Sequence, residues 1–107
     1  MKRGEIWWAN MGGPAGKRPV VLLSRDESYI LRSLIIVAPV TTRIRNIPSE
    51  VNLSTTDGMV KSCVVNVDTI STIKKQALIN QISALNPEKM KEMEIALHFA
   101  LGLTCYS

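Results

Sequence analysis

The chain has 107 residues, 46% of them apolar, enough for one small core and so for a single domain over residues 1–107. No apolar run approaches the ~20 residues of a membrane span and no basic start leads into an apolar h-region, so no membrane association is expected and the expected compartment is cytoplasmic. The formal charge of +4 is uneven: residues 1–47 hold eight Lys/Arg against Glu5, Asp26 and Glu27, a balance that suits a polyanion or an acidic peptide and equally suits plain solvation.

Glu5 to Ala9 reads as a first strand, with Ile6 and Trp8 on one face and Glu5, Trp7 and Ala9 on the other. Residues 10–17 form a glycine-rich loop, Gly12-Gly13-Pro14-Ala15-Gly16, that contains no acid. Pro19 to Ser24 is a continuous apolar strand, as expected for one buried on both faces. Arg25 to Arg32 is a polar connection, and Ser33 to Thr42 is a β-branched strand in which Pro39 argues for an edge or a bulge. Residues 43–48 are a basic loop, Glu50 to Ser54 a weakly alternating strand, and Thr56-Asp57-Gly58 a turn. Ser62 to Ile73 reads as one long strand. Lys74 to Gln76 break the pattern, and Leu78 to Leu85 form a short final strand. Asn86-Pro87 starts a helix, with Asn as N-cap and Pro in the first helical position, that ends at Gly102. Its apolar stripe is Met90, Met93, Leu97, Ala100 and Leu101. Five or six short strands with one C-terminal helix predict a small, curled antiparallel sheet or barrel.

Antiparallel pairing of 19–24 with 33–41 about a centre near Tyr29 makes paired positions sum to about 59. Arg18 then stands opposite Thr41, beside the Gly12–Gly16 loop. A guanidinium, the hydroxyls of Thr41 and Thr42 and loop amides around Gly16 converge there, as a phosphate site requires, with Lys17 adjacent. The bland alternative is a strand-end arginine that solvates a sheet edge. Arg43 and Arg45 follow Thr42 and either track a nucleic-acid backbone or solvate a loop. Trp7 is the tryptophan expected to be exposed, either to stack on bases or to fill a dimer interface. His98, the single histidine, lies on the late helix, so a two-histidine ribonuclease within one chain is excluded by count. Cys63 and Cys105 match no metal-ligand spacing and are expected to stay reduced.

The blocks Arg3-Gly4-Glu5-Ile6, Arg18-Pro19-Val20, Ser24-Arg25-Asp26, Val40-Thr41-Thr42, Asp68-Thr69-Ile70-Ser71-Thr72-Ile73 and the closing Leu101-Gly102-Leu103 occur in the order and spacing of the MazF/PemK family of toxins from toxin–antitoxin pairs, which the whole chain resembles. The resemblance implies an SH3-like β-barrel with a C-terminal helix (mainly β, of the CcdB/MazF type) working as a homodimer. It implies a sequence-specific endoribonuclease that needs no metal or other cofactor and cuts single-stranded RNA. In such enzymes the ribose 2′-OH attacks the adjacent phosphate, leaving a 2′,3′-cyclic phosphate and a 5′-OH. By the same resemblance Arg18 and Thr41 are the catalytic pair, and a co-encoded antitoxin with an acidic, flexible tail is the partner; the residues expected to contact RNA are Lys17, Thr42, Arg43, Arg45, Trp7, Gly16 and Thr69.

The chain departs from the family pattern in two places. Many relatives carry a glutamate in the loop before Arg-Pro, and residues 10–17 hold no carboxylate, so no general base is assigned. The family's Gln-Ile-Arg is Thr69-Ile70-Ser71 here, which predicts a different target preference. Two other functions stay open. One is a gyrase poison of the CcdB type, against which the absence of any Trp after Trp8 counts. The other is a catalytically inactive module that binds RNA or antitoxin.

Overall fold

A computed structural model describes residues 1–103. At its centre, strands Glu5–Asn10 (β1), Lys17–Leu22 (β2) and Leu34–Thr41 (β3) pair antiparallel, β1 with β2 and β2 with β3. The β2–β3 ladder pairs Val20 with Pro39, Val21 with Ala38 and Leu22 with Val37, the register expected from a turn centred near Tyr29. The polar connection between them contains a single helical turn, Ser28–Leu31 (α1), absent from the sequence reading. Tyr29 is buried in it and donates its hydroxyl to the Ser24 carbonyl at 3.0 Å, which ties the connection to the end of β2.

The remaining strands are Glu50–Leu53 (β4), Cys63–Asn66 (β5), Ser71–Lys74 (β6) and Leu78–Ala84 (β7). The sheet runs β4-β5-β3-β2-β1-β7, with β6 also on β3, every pair antiparallel. β4 and β7 end the path without pairing to each other, so the sheet curls without closing. That gives seven strands among the described residues, against five or six expected.

Two strand expectations are corrected. The long strand over 62–73 is two strands, β5 and β6, separated by a 3-10 turn at Val67–Thr69. The Asn66 side chain accepts the Asp68 amide at 2.9 Å, and this local bond competes with the ladder and bends the chain. Pro39 is not on an edge. β3 lies inside the sheet and changes partner beside Pro39: Leu34–Val37 pair with β6, and Val40–Thr41 pair with β5.

The β2 and β3 strands bury side chains on both faces, as their unbroken apolar runs require. Val21, Leu23, Ala38 and Val40 pack with β4, β5 and the helix Pro87–Leu101 (α2), while Val20, Leu22, Ile35 and Val37 pack around Tyr29. In α2 the Asn86 side chain accepts the Lys89 amide at 2.8 Å, and Gly102 closes the helix at φ 66°. Met93 and Ala96 are buried, with Met90, Leu97 and Ala100 beside them; Leu101, expected in the stripe, is exposed together with Ile95 and Phe99. Arg3 stitches the N-terminus down, donating Nε to the Leu23 carbonyl at 3.0 Å and Nη1 to Glu94 at 3.4 Å. No helix among the described residues is long and apolar enough to cross a membrane. Cys105 lies outside the described residues.

Candidate active-site cleft

The loop that enters β2 turns tightly, with Gly12 at φ 73° and Gly16 at φ 60°, and the Met11 amide donates to the Gly16 carbonyl at 2.8 Å. Positive φ at both ends requires glycine. The turn delivers Arg18 at the start of β2, where its Nε donates to the Ala15 carbonyl at 3.2 Å. That bond fixes the guanidinium plane and leaves the two terminal amino groups unpaired among the described residues. Extending the ladder two residues beyond Val20 and Pro39 puts Arg18 opposite Thr41, the last residue of β3.

Arg18 and Thr41 line one cleft of about 450 Å³. Val40 and Cys63 form its buried floor, Trp8, Lys17 and Pro19 line it from β1 and β2, and Thr42 follows Thr41. The loop between β4 and β5 adds Met59, Val60 and Lys61, and Ile82 comes from β7. Three cations, Lys17, Arg18 and Lys61, therefore share a lining that, among the described residues, contains no carboxylate and no histidine. Such a lining suits an anion and offers no protein group of ordinary basicity to accept a proton.

Two details set the chemistry further. The Thr41 Oγ1 accepts the Arg43 amide at 3.2 Å, so its hydroxyl proton is free to donate toward the cleft. The Lys17 ammonium stands 5.1 Å from the centroid of the Trp8 ring, a cation–π contact that holds one edge of the cleft. Burial, and to a lesser degree Asp57, pushes the Cys63 thiol up from its ordinary value, so it stays protonated and is a poor nucleophile.

The structure thus brings Arg18, Thr41, Lys17 and Thr42 together in one lining. Gly16 borders the cleft through Ala15 without lining it, and Arg43 and Arg45 are exposed on the loop just beyond Thr42. Trp7 lies elsewhere. It packs on the Tyr29 side of the sheet and donates Nε1 to Glu5 at 2.9 Å, and Trp8 is the tryptophan that faces the cleft. Thr69 is exposed in the turn between β5 and β6, which packs by α2, and takes no part in the lining. His98 is exposed on α2. Sequence reasoning missed Trp8, Met59, Val60, Lys61 and Ile82. Alternation already placed Trp8 on the face of Ile6, but it does not say which face of the strand borders the cleft. Lys61 was an unassigned cation just after a glycine turn.

Residues 2–101 match the family model of the PemK-like, MazF-like toxin of type II toxin-antitoxin systems. The chain belongs to this family. It is 37% identical over 100 residues to the Mycobacterium tuberculosis "Probable endoribonuclease MazF5", covering 92% of this chain and 91% of that protein. It is 31% identical over 111 residues to the "Endoribonuclease MazF" of Staphylococcus saprophyticus, covering 96% and 92%. Among solved structures, the Mycobacterium tuberculosis toxin MazF-mt6 superposes with a TM-score of 0.87 at 28% identity, covering 94% of this chain and 99% of that one. A mycobacterial endoribonuclease in complex with its cognate antitoxin superposes at 0.88 with 26% identity, covering 99% of each chain. The curled antiparallel sheet with a C-terminal helix is the architecture shared with these MazF structures.

Proposed function

We propose that this chain is the endoribonuclease toxin of a type II toxin–antitoxin pair, acting in the cytoplasm on single-stranded RNA held in the Arg18–Thr41 cleft. The observation that carries the reading is the convergence of Arg18 and Thr41 on one lining whose charged groups, Lys17, Arg18 and Lys61, are all cations. The relatives' names as endoribonucleases support the reaction class.

In the proposed reaction the ribose 2′-oxygen forms a bond to the adjacent phosphorus and the bond from phosphorus to the 5′-oxygen breaks. The products are a 2′,3′-cyclic phosphate and a 5′-OH. Arginine stays protonated, so Arg18 directs its terminal amino groups at the charge building on the phosphate oxygens and relays no proton. The Thr41 hydroxyl, its oxygen already engaged by the Arg43 amide, donates to a second phosphate oxygen and fixes the phosphate. With neither carboxylate nor histidine in the lining among the described residues, water takes the 2′-OH proton and protonates the leaving oxygen. Because the attack is within the RNA, alignment supplies much of the rate. The same cations would receive the acidic tail of an antitoxin, and a homodimer completes the assembly.

The test is cleavage of a long single-stranded RNA in EDTA by the wild type and by Arg18→Ala, with product ends read by mass spectrometry. Discrete cuts with cyclic-phosphate ends, reduced roughly 10²–10³-fold in the variant, are expected. Wild-type cleavage by a folded Arg18→Ala protein would refute the site.

A further inference from the structure

We propose that Glu50 is a positioning residue for this cleft: it clamps the basic loop of residues 42–49, and with it the backbone that engages Thr41. The inference rests on the reading of the cleft as an RNA site. The loop Arg43-Ile44-Arg45-Asn46-Ile47-Pro48 has no regular secondary structure and is exposed throughout. Such a segment would ordinarily sample many conformations.

Both of its ends are fastened. At the far end Ser49 is buried, its carbonyl accepts the Val67 amide at 3.0 Å, and its hydroxyl donates to the Asp68 carboxylate. Glu50 opens β4 opposite Asn66 of β5, so its backbone belongs to the sheet. From there its Oε1 accepts two successive amides of the loop, Arg45 at 2.9 Å and Asn46 at 3.0 Å. Asn46 has φ 57°, which turns both N–H groups toward one oxygen, and the Glu50 amide closes the turn onto the Ile47 carbonyl at 3.0 Å. A concavity of consecutive amides around a carboxylate is a strong, charge-assisted arrangement. At the near end the Arg43 amide donates to the Thr41 Oγ1 at 3.2 Å.

The choice of acceptor has a consequence for charge. Glu50 gives Oε1 to backbone amides, its buried Oε2 has no hydrogen-bond partner among the described residues, and neither Arg43 nor Arg45 makes an ion pair among them. By bonding amides of residues 45 and 46, the Glu50 carboxylate orders the loop and leaves both guanidinium groups for phosphates flanking the reacting one.

The test compares wild type with Glu50→Ala and Glu50→Gln. Amide exchange at Arg45 and Asn46 reads the clamp without RNA; kcat, KM and the salt dependence of RNA binding read its use. Glu50→Ala should lose protection at both amides, raise KM about tenfold and flatten the slope of log K against log salt by up to about 1.4, two phosphate contacts' worth. Glu50→Gln keeps an acceptor oxygen and should recover most of each. Glu50→Ala with both amides still protected, or with protection lost but KM and slope unchanged, overturns the proposal. Should Glu50→Ala not fold, Arg43→Gln/Arg45→Gln must flatten the slope equally; an unchanged slope overturns it too. If wild type cuts no RNA, the cleft reading fails, while the exchange data still decide the clamp.

Discussion

Gly58 holds the loop that carries Met59, Val60 and Lys61 to the cleft, and replacing it by alanine should damage both stability and substrate binding. Gly58 ends the 3-10 turn Thr55–Asp57 at φ 88°, with its amide on the Thr55 carbonyl at 3.1 Å. The turn is rigid because Ser54 and Asp57 cap each other's amides, and Ser83 on β7 donates its hydroxyl to the Asp57 carbonyl at 2.6 Å. An alanine Cβ would lie 2.8 Å from the Ser83 Cβ and would overlap its hydroxyl oxygen. The left-handed backbone costs an L-residue about 1–2 kcal/mol. The overlap costs about 1–3 kcal/mol, and stiffening the unfolded chain returns about 0.4–1 kcal/mol. The expected loss is about 2–3 kcal/mol, on the order of 10 °C in Tm for a domain of this size. Gly4, at φ 93°, is the control, since the atoms nearest its Cβ would all belong to the flexible Met90 side chain, so Gly4→Ala should cost less. Urea and thermal denaturation measure both, and adding Ser83→Gly to Gly58→Ala should recover the overlap but not the backbone strain. A Gly58→Ala protein within about 0.5 kcal/mol of wild type, the range of a neutral surface change, would refute the reasoning.

Trp8→Ala should weaken RNA binding by about 1–3 kcal/mol, the worth of one stacked base, whereas Trp7→Ala should lower Tm and leave RNA affinity near wild type. Fluorescence titration of both variants with a non-cleavable RNA checks this. Tyr29 has its phenol pushed up to about 12, first by burial and then by Asp26, so its absorbance should titrate well above that of a free tyrosine. Because the unfolded chain releases that proton near pH 10 and the folded chain near 12, this contribution to stability is full below pH 10 and declines as pH rises through that window. Tyr29→Phe should flatten the decline in denaturation midpoints measured from pH 9 to 12. Asn86→Ala removes the acceptor of the Lys89 amide and should cost about 1 kcal/mol, read as a fall in urea midpoint at constant m-value.

What could be read from the sequence follows the range of the interaction concerned. The β2–β3 register depended on one short connection, so a centre near Tyr29 was enough to set Arg18 against Thr41. The Asn86-Pro87 start and Gly102 stop of α2 were equally local, satisfied within one turn at each end. Misreadings arose where a local signal had two physical outcomes. Cys63 to Ile73 is rich in β-branched residues, but Asn66 can accept the amide two positions on, and that bond ends β5. Pro39 lacks an amide proton, which an edge position would excuse, and so does a point where a central strand changes partner.

The two tryptophans show why the cleft was only half legible. Alternation separated Trp7 from Trp8 correctly, but it can name the exposed one only when a strand has a single buried face. Here β1 contributes Ile6 to the packing beneath α2 and Ala9 to the packing around Tyr29, so both faces are apolar and neither tryptophan is marked by its neighbours. Trp8 reaches the cleft from a position level with Pro19, next to Arg18 and Lys17 on β2, and shares the lining with Cys63 of β5. Lys61 depends on more distant contacts still. Its place in the cleft requires the turn before it to dock on Ser83, 26 residues away from Asp57 in sequence. The juxtaposition of Arg18 and Thr41 was therefore visible from one hairpin, whereas the other groups that line the cleft come from β1, β7 and the β4–β5 loop, and become neighbours only when the sheet curls.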